Sequence, residues 1–379
     1  MTTDSSSNTS PRRWAPALTA LLVAGVLAGI AWSALNKRAN DPGIASADTP
    51  VKGLVGSEKV AFFADPRVQA ALKRQGLTVS VQKAGSREIA THPDLKTADF
   101  AFPAGEPAGA KIQEVTKTAK FSVPWYTVMT VASWKPIAGI LATNGIARQE
   151  NGHWYILDLK GLLALSESGT RWKDLKGSAD YAIGRTVLVS TTDVQKSNSA
   201  AMFLSLASYL FNGDNVVQNE AQVAGVLPKV APLFLKQGFQ DNSSAGPFED
   251  YTLMGAGKTP LVMIYEAQFI ETLVRATQPG GALANREQMV LMYPRPTIYA
   301  KQVFIPLTAA GERLGALLET DADLLKVAAE YGWRTRDTAG QMAAWKTAGV
   351  AVPADLNDVV SPPRYEIVEA LIAGIAKAP

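Results

Sequence analysis

The feature that most restricts the fold of this chain is an uncharged segment near its start, residues 14–35. As a helix rising about 1.5 Å per residue, it reaches roughly 33 Å, enough for a hydrocarbon core of about 30 Å. A buried core helix would show an apolar stripe, whereas this segment has none and lies between polar stretches. The sequence therefore predicts a membrane-spanning segment followed by a soluble globule.

The segment fits a permanent anchor better than a cleaved signal peptide. Signal peptides have an apolar stretch of about 7–15 residues with small residues at the cleavage site. Here the apolar stretch is longer, and the best small-residue pattern, at 45–47, lies well beyond its end. Cleavage remains the alternative. Basic residues at 12–13 and 37–38 flank both ends, so they hardly fix the orientation. Because the globule follows the segment, we predict a cytoplasmic head at 1–13 and an extracytoplasmic globule.

Composition excludes several classes of function. The chain has no cysteine, so neither disulfides nor thiol chemistry nor a lipidated N-terminal cysteine contributes. Its net charge of +3 is spread without a basic block, which gives no footprint for nucleic acid. The length is sufficient for two lobes, each with its own core.

The rest of the chain alternates short apolar runs with helical stretches after a polar linker at 36–57. The predicted strands are 60–63, 77–81, 98–102, 126–132, 154–157, 186–190, 261–265, 290–293 and 303–306. The predicted helices are 66–74, 198–211, 266–276, 314–331 and 365–376. This alternation predicts an α/β fold with helix-covered sheets, in which ligands bind beyond the carboxyl ends of the strands.

Motifs for catalysis and metal binding are weak. Residues 256–259 (Ala-Gly-Lys-Thr) lack the earlier glycine of a phosphate-binding loop and precede an apolar run, so we interpret them as a loop entering a strand. The two histidines, His92 and His153, lie far apart in predicted loops, and no pair of carboxylates is marked by its context. We predict no enzymatic activity, no cofactor and no metal site.

Three loop segments carry polar groups where an α/β protein binds ligands. Gly85 and Ser86 follow a strand and begin a helical turn, residues 191–199 connect a strand to the helix at 198, and Tyr265-Glu266 ends another strand. Each also has a simpler interpretation: a plain helix cap, a solvated loop with Ser197 as cap, and a carboxylate favoured by the helix dipole.

Several stretches, taken in order, resemble bacterial extracellular solute-binding proteins with the type II periplasmic-binding-protein fold. The stretches are Ala98-Asp-Phe-Ala-Phe-Pro103 with Gly105-Glu-Pro-Ala108, Ser190-Thr-Thr-Asp-Val-Gln-Lys-Ser-Asn-Ser-Ala-Ala-Met-Phe203, Leu261-Val-Met-Ile-Tyr-Glu-Ala-Gln-Phe-Ile270, Val290-Leu-Met-Tyr-Pro-Arg-Pro-Thr-Ile-Tyr299 and Ala328-Ala-Glu-Tyr-Gly-Trp-Arg334. Their order and spacing carry the resemblance, since no single motif is specific.

The resemblance implies two α/β lobes, 58–130 with 298–379 and 131–297, joined by crossing strands near 126–132 and 290–298. A ligand would bind in the cleft between the lobes and favour their closure. By position, the cleft would receive Gly85, Ser86, Phe102 and Pro103 from the first lobe, and Thr191, Thr192, Asp193, Ser197, Asn198, Tyr265 and Glu266 from the second.

We therefore predict a solute-binding protein held by a single span in the bacterial inner membrane, which captures a small polar ligand for transport or sensing. Its partners would be the solute, the membrane through 14–35, and a transporter or envelope complex, with no nucleic acid. Helix N-termini favour an oxyanion, whereas Asp193 and Glu266 favour a cation or a hydroxyl-rich ligand, and the sequence leaves both open. The rival functions are a non-catalytic interaction module on the same scaffold and a hydrolase.

Overall fold

The computed structural model of the chain describes residues 48–238 and 240–378. The predicted head at 1–13 and anchor at 14–35 lie outside these residues. Within the described part of the chain, no helix is both long and apolar enough to cross a bilayer. Residues from Thr49 onward form one compact unit.

Strands and helices alternate along this unit, in the pattern expected of an α/β fold. The strands are β1 (Thr49–Val55), β2 (Leu77–Lys83), β3 (Phe100–Phe102), β4 (Ser122–Trp134), β5 (Ala147–Glu150), β6 (Trp154–Asp158), β7 (Leu261–Tyr265), β8 (Met289–Arg295), β9 (Thr297–Pro306) and β10 (Val359–Val360). The helices are α1 (Ser57–Ala64), α2 (Pro66–Arg74), α3 (Glu106–Thr116), α4 (Lys135–Thr143), α5 (Leu159–Glu167), α6 (Asn198–Phe211), α7 (Glu220–Leu235), α8 (Ala245–Met254), α9 (Glu266–Arg275), α10 (Ala309–Thr320), α11 (Ala322–Glu330), α12 (Thr338–Thr347) and α13 (Tyr365–Lys377). Short 3₁₀ helices occupy Ile89–Thr91, Pro93–Thr97, Trp172–Asp174, Ala179–Tyr181 and Arg286–Gln288.

The sheet is mixed and runs in the order β2-β1-β3-β9-β4-β8-β6-β5, with β7 beside β4 and β10 beside β9. Strand β1 is parallel to β2 and β3, whereas β9 is antiparallel to both β3 and β4. The first part of β4 pairs with β9, and its last part lies between β7 and β8. Strand β4 therefore links the two halves of the sheet.

Separate apolar clusters fill the two halves. Around the first half, Val51 and Val55 of β1 face one cluster and Leu54 faces another, so this part of the sheet is covered on both sides. Around the second half, a larger cluster unites β6–β8 with α4–α7 and reaches Leu371 of α13. The division into two lobes at the predicted boundaries stays a prediction.

The first strand was assigned wrongly from the sequence. Residues 60–63 form part of helix α1, and the strand lies upstream in β1, which was predicted as the end of a linker. The four apolar or aromatic residues at 60–63 suit a buried strand and a buried helix turn equally well. In the helix, Phe62 and Phe63 both pack into the core.

Two further predicted elements have a different structure. Residues 186–190 form only isolated bridges, one of them between Ser190 and Val262 of β7. The predicted helix at 314–331 is two helices, because Asp321 interrupts it and accepts hydrogen bonds from the first backbone N–H groups of α11.

Candidate functional site

A cleft of ≈ 470 Å³ lies where the N-termini of α1, α6 and α8 meet the loop after β2 and the end of β7. Of the predicted site residues, those that line it are Gly85, Ser86, Ser197, Asn198 and Tyr265. A helix N-terminus presents unpaired backbone N–H groups and a partial positive charge. Three such ends and many hydroxyl groups make the cleft a polar site.

The first turn of α6 supplies a chain of hydroxyl groups. The Ser197 Oγ lies 2.9 Å from the Ser199 Oγ, which lies 3.1 Å from the Thr192 Oγ1. The Ser197 side chain does not cap the helix, so the simple capping interpretation does not describe it. Its hydroxyl is at the cleft wall, where a ligand can compete for it.

Tyr265 and Asn198 connect the end of β7 to α6. The Asn198 Nδ2 donates to the Tyr265 hydroxyl over 3.0 Å. Burial raises the pKa of Tyr265, and the negative charge of Glu58 raises this pKa further. The phenol is therefore neutral at physiological pH and retains an O–H that can donate to a ligand.

On the other side of the cleft, the loop after β2 is held by Ser86 and Arg87. The buried Ser86 Oγ accepts a hydrogen bond from the Ala104 backbone N over 2.9 Å. A Cβ atom added at Gly85 would lie only 2.7 Å from the Glu88 carboxylate. This carboxylate therefore packs directly against the glycine. The loop thus brings a backbone and an acidic side chain to the cleft.

A buried lysine lies beneath the cleft and was missed from the sequence. The Lys59 ammonium is fully buried, donates to the Gln302 Oε1 over 2.6 Å and to the Glu58 carboxylate, and lies 5.0 Å from the centre of the Phe102 ring. Burial lowers the pKa of Lys59, and Glu58 counteracts this effect. The available signal was a lysine four positions after the end of β1, but that strand was predicted as part of a linker.

Two tryptophans add indole N–H donors, and one of them lines the cleft. Trp333 lines the cleft, and Trp125 stacks on it with 6.1 Å between ring centroids. Both are buried, and neither indole N–H has a hydrogen-bond partner among the residues that the structure describes. A buried donor without a partner costs free energy unless a ligand or water accepts from it.

The other predicted residues lie outside the lining of this cleft. Phe102 packs in the first-half core against Phe304, and Pro103 accepts a backbone hydrogen bond from Val303. The Thr192 hydroxyl is hydrogen-bonded to the Ser199 hydroxyl. The Asp193 carboxylate accepts from the Gln195 backbone N over 2.8 Å.

Thr191 belongs to a different cavity of ≈ 990 Å³, between α5, α7, α8 and the segment 171–190. Its backbone N donates to the Gln237 Oε1 over 2.7 Å, while its hydroxyl has no partner in the described part of the chain. Thr191 and Ser197 are only six positions apart in sequence, but they line different cavities.

Glu266 is held in a buried ion pair. Arg334 donates to it from Nε over 2.6 Å and from Nη2 over 2.8 Å, and the Tyr293 hydroxyl donates to the same carboxylate. Both side chains of the pair are almost completely buried. This carboxylate therefore stabilises the fold beneath the cleft instead of facing a ligand.

The remaining motifs from the sequence are the possible metal ligands and residues 256–259. Across 48–238 and 240–378, no group of three or more His, Asp or Glu side chains could hold a metal ion. His92 accepts from the Asp94 backbone N, and His153 stacks beside Trp154. Residues 256–259 lead into β7, as predicted.

Comparison with solved structures identifies the fold. The apo ferric ion-binding protein A of Pasteurella haemolytica superposes with a TM-score of 0.53 at 12% identity, over 86% of this chain and 96% of that chain. Iron-bound HitA of Pseudomonas aeruginosa gives a TM-score of 0.52 at 11% identity, over 86% of this chain and 99% of that chain. No family model and no curated protein matches this chain in sequence. The predicted type II periplasmic-binding-protein fold is confirmed.

Proposed function

We propose that this chain is an extracytoplasmic solute-binding protein of the bacterial inner membrane, which captures a small polar ligand in the cleft. The observation that carries the proposal is the cleft itself, because hydroxyl, amide and backbone N–H groups from both halves of the sheet converge on it. Ligand sites in open α/β folds lie at such strand and helix ends. The first protein compared above is named a ferric ion-binding protein, the second is HitA with iron bound, and neither name describes an enzyme.

The proposed ligand contacts come from opposite walls. Ser197, Asn198 and Tyr265 would hydrogen-bond the ligand from one wall, and the 85–86 backbone and the Ser86 hydroxyl from the other. Closure of the walls on the ligand would be favoured by the extra contacts that only the closed form makes. The chain itself would perform no covalent chemistry.

Residues 14–35 would keep this cleft near the membrane, where the captured solute passes to a transporter or is reported to an envelope complex. Native mass spectrometry of the full chain, purified in detergent and released from it, tests the proposal by looking for a retained small molecule. A library of solutes screened by thermal shift then identifies its class. A chain that retains nothing and is stabilised by no solute would instead be an interaction module on this scaffold.

Substitution of the cleft hydroxyl groups gives a quantitative test. Ser197→Ala should weaken binding of the retained solute about two- to tenfold, because one net hydrogen bond is worth roughly 0.5–1.5 kcal/mol. Calorimetry measures the affinity, and thermal melting checks the fold. Ser168→Ala, at an exposed serine after α5, is the matched control. Equal affinities in wild type and Ser197→Ala would show that α6 does not bind the solute.

A further inference from the structure

Glu58 occupies the position in the cleft that best suits an anion. Its carboxylate lies in the first turn of α1 and folds back over Gly56, where a Cβ would lie 2.4 Å from the Glu58 Oε1. It lines the cleft, its side chain is 18% exposed, and it accepts from the Lys59 ammonium. A helix N-terminus and an ammonium together stabilise negative charge.

Lys59 cannot lose this partner without replacement. Its ammonium is fully buried, and besides Glu58 its hydrogen-bond partner is the neutral amide of Gln302. A buried charge that is left unpaired is strongly destabilising. A ligand that moves Glu58 aside and brings a negative charge of its own keeps this buried ammonium paired.

A second observation points to an acceptor at the same place. Trp333 lines the cleft with 2% of its surface exposed, and its indole N–H lacks a hydrogen-bond partner in the described part of the chain. The Glu58 carboxylate leaves this donor unsatisfied. An acidic group with more oxygen atoms, or one seated deeper, can accept from it.

We propose that the ligand is a small anion whose acidic group replaces the Glu58 carboxylate beside the Lys59 ammonium. This inference rests on the solute-binding function proposed above and specifies its ligand class. Glu58 is an internal competitor: it keeps Lys59 paired in the empty cleft and turns toward solvent when the anion enters. A negative charge then lies beside Lys59 in both states.

The other charged groups of the cleft are compatible with this exchange. Lys83 and Lys196 line it and attract an anion, and the Glu271 carboxylate is paired with Arg275 over 2.7 Å. Glu88 also lines the cleft, but no described basic side chain lies within ion-pair distance of it. Glu88 therefore offers a carboxylate in the same cleft without a role in the exchange.

The substitution Glu58→Gln tests the proposal, with sulfate, phosphate and acetate as anionic probes and Ca²⁺, Mg²⁺ and glucose as counter-probes. The full chain is titrated by calorimetry at constant ionic strength. Glu58→Gln keeps the shape of the side chain but removes the competing charge. We expect at least one anion to bind about tenfold more tightly than to wild type.

Glu88→Gln is the matched control, because it removes the same charge from the same cleft without contact to Lys59. We expect its effect to stay below about threefold, as for a screened charge. Equal gains in the two variants would show a general charge effect and overturn the exchange. Lys59→Met, with folding checked by circular dichroism, should lose anion binding by about tenfold or more; unchanged binding in that folded variant would also overturn it.

The test separates this inference from the function on which it rests. If Ca²⁺, Mg²⁺ or a neutral solute binds wild type, and Glu58→Gln weakens that binding, the anion inference is wrong and the solute-binding function stands. If no probe and no library solute binds any variant, both are wrong.

Discussion

Arg334 and Glu266 form the most deeply buried ion pair in the described part of the chain. The guanidinium makes two hydrogen bonds to the carboxylate and also donates to the backbone oxygens of Pro353 and Ala354. Burial lowers the pKa of Arg334, but the charge of Glu266 and the hydrogen bonds to it raise this pKa above its usual value. Arg334 therefore joins the start of α9 to the segment after α12.

Removing one partner of this pair should be costly. In Arg334→Met the Glu266 carboxylate stays buried without a cation, and we expect the free energy of unfolding to fall by about 3–5 kcal/mol. Urea denaturation followed by circular dichroism measures this loss.

The double variant Glu266→Gln with Arg334→Met is the control, since it removes both charges together. It should recover part of the loss, because no unpaired charge remains. A loss below about 1 kcal/mol in Arg334→Met would contradict the interpretation of a tightly paired, buried site.

Arg87 fastens the loop after β2 to the loop before α6. Its guanidinium donates to the backbone oxygens of Val194 and Ser197, over 3.1 Å and 3.4 Å, and also to that of Gln195. Its Nε pairs with Glu369 of α13 over 2.7 Å. One side chain thus holds the two walls of the cleft and the C-terminal helix together.

Loss of this connection should loosen the segment 193–199, which carries part of one cleft wall. In Arg87→Ala we expect backbone amides there to exchange with deuterium about tenfold faster, because charge-assisted hydrogen bonds of roughly 1.5–3 kcal/mol are lost. Hydrogen–deuterium exchange mass spectrometry measures the change. Arg67→Ala removes an arginine paired with Asp65 and Glu330 at the surface and should leave the segment unchanged. Equal exchange in both variants would show that the wall is held by other contacts.

The sequence identified the loop before α6 as part of the site because its position was unambiguous. A long apolar helix with a clear start at Asn198 fixed the polar residues before it, and Ser197 and Asn198 do line the cleft. The same loop misled the prediction for Thr191, Thr192 and Asp193. Position along a loop does not say which residues reach a cavity, and none of these three lines the cleft.

Lys59 and Glu58 could not be found from the sequence, because the elements around them were misassigned. Four apolar residues at 60–63 fit a strand, and that choice left β1 within a linker. Glu266 shows a second limit. A carboxylate in a first helical turn is stabilised by the helix dipole whether or not it meets a ligand, and its partner Arg334 is distant in sequence.

Strands β4 and β9 connect the two halves of the compact unit. The first part of β4 pairs with β9, and the second part continues into the other half between β7 and β8. The Thr127 hydroxyl accepts from the Ala267 backbone N over 3.0 Å, at the point where β4 passes between the halves. A movement of one half against the other would therefore bend these two strands, as expected for hinge closure on a ligand.

The proposed membrane attachment predicts how the full chain partitions. In the variant Leu22→Arg with Val26→Arg, each charge at the centre of the segment 14–35 should cost about 2.5–3.5 kcal/mol of insertion. We expect wild type to stay with the membranes during alkaline extraction and this variant to appear in the soluble fraction. Ser6→Arg with Thr9→Arg adds the same charges to the predicted cytoplasmic head and should stay with the membranes.

Intact mass spectrometry distinguishes an anchor from a signal peptide, because cleavage would remove residues 14–35 from the mature protein. Cleavage of the chain would contradict the single-span attachment. Unchanged extraction of the variant Leu22→Arg with Val26→Arg would also contradict it. In either case the ligand-binding experiments would still test the function of the cleft.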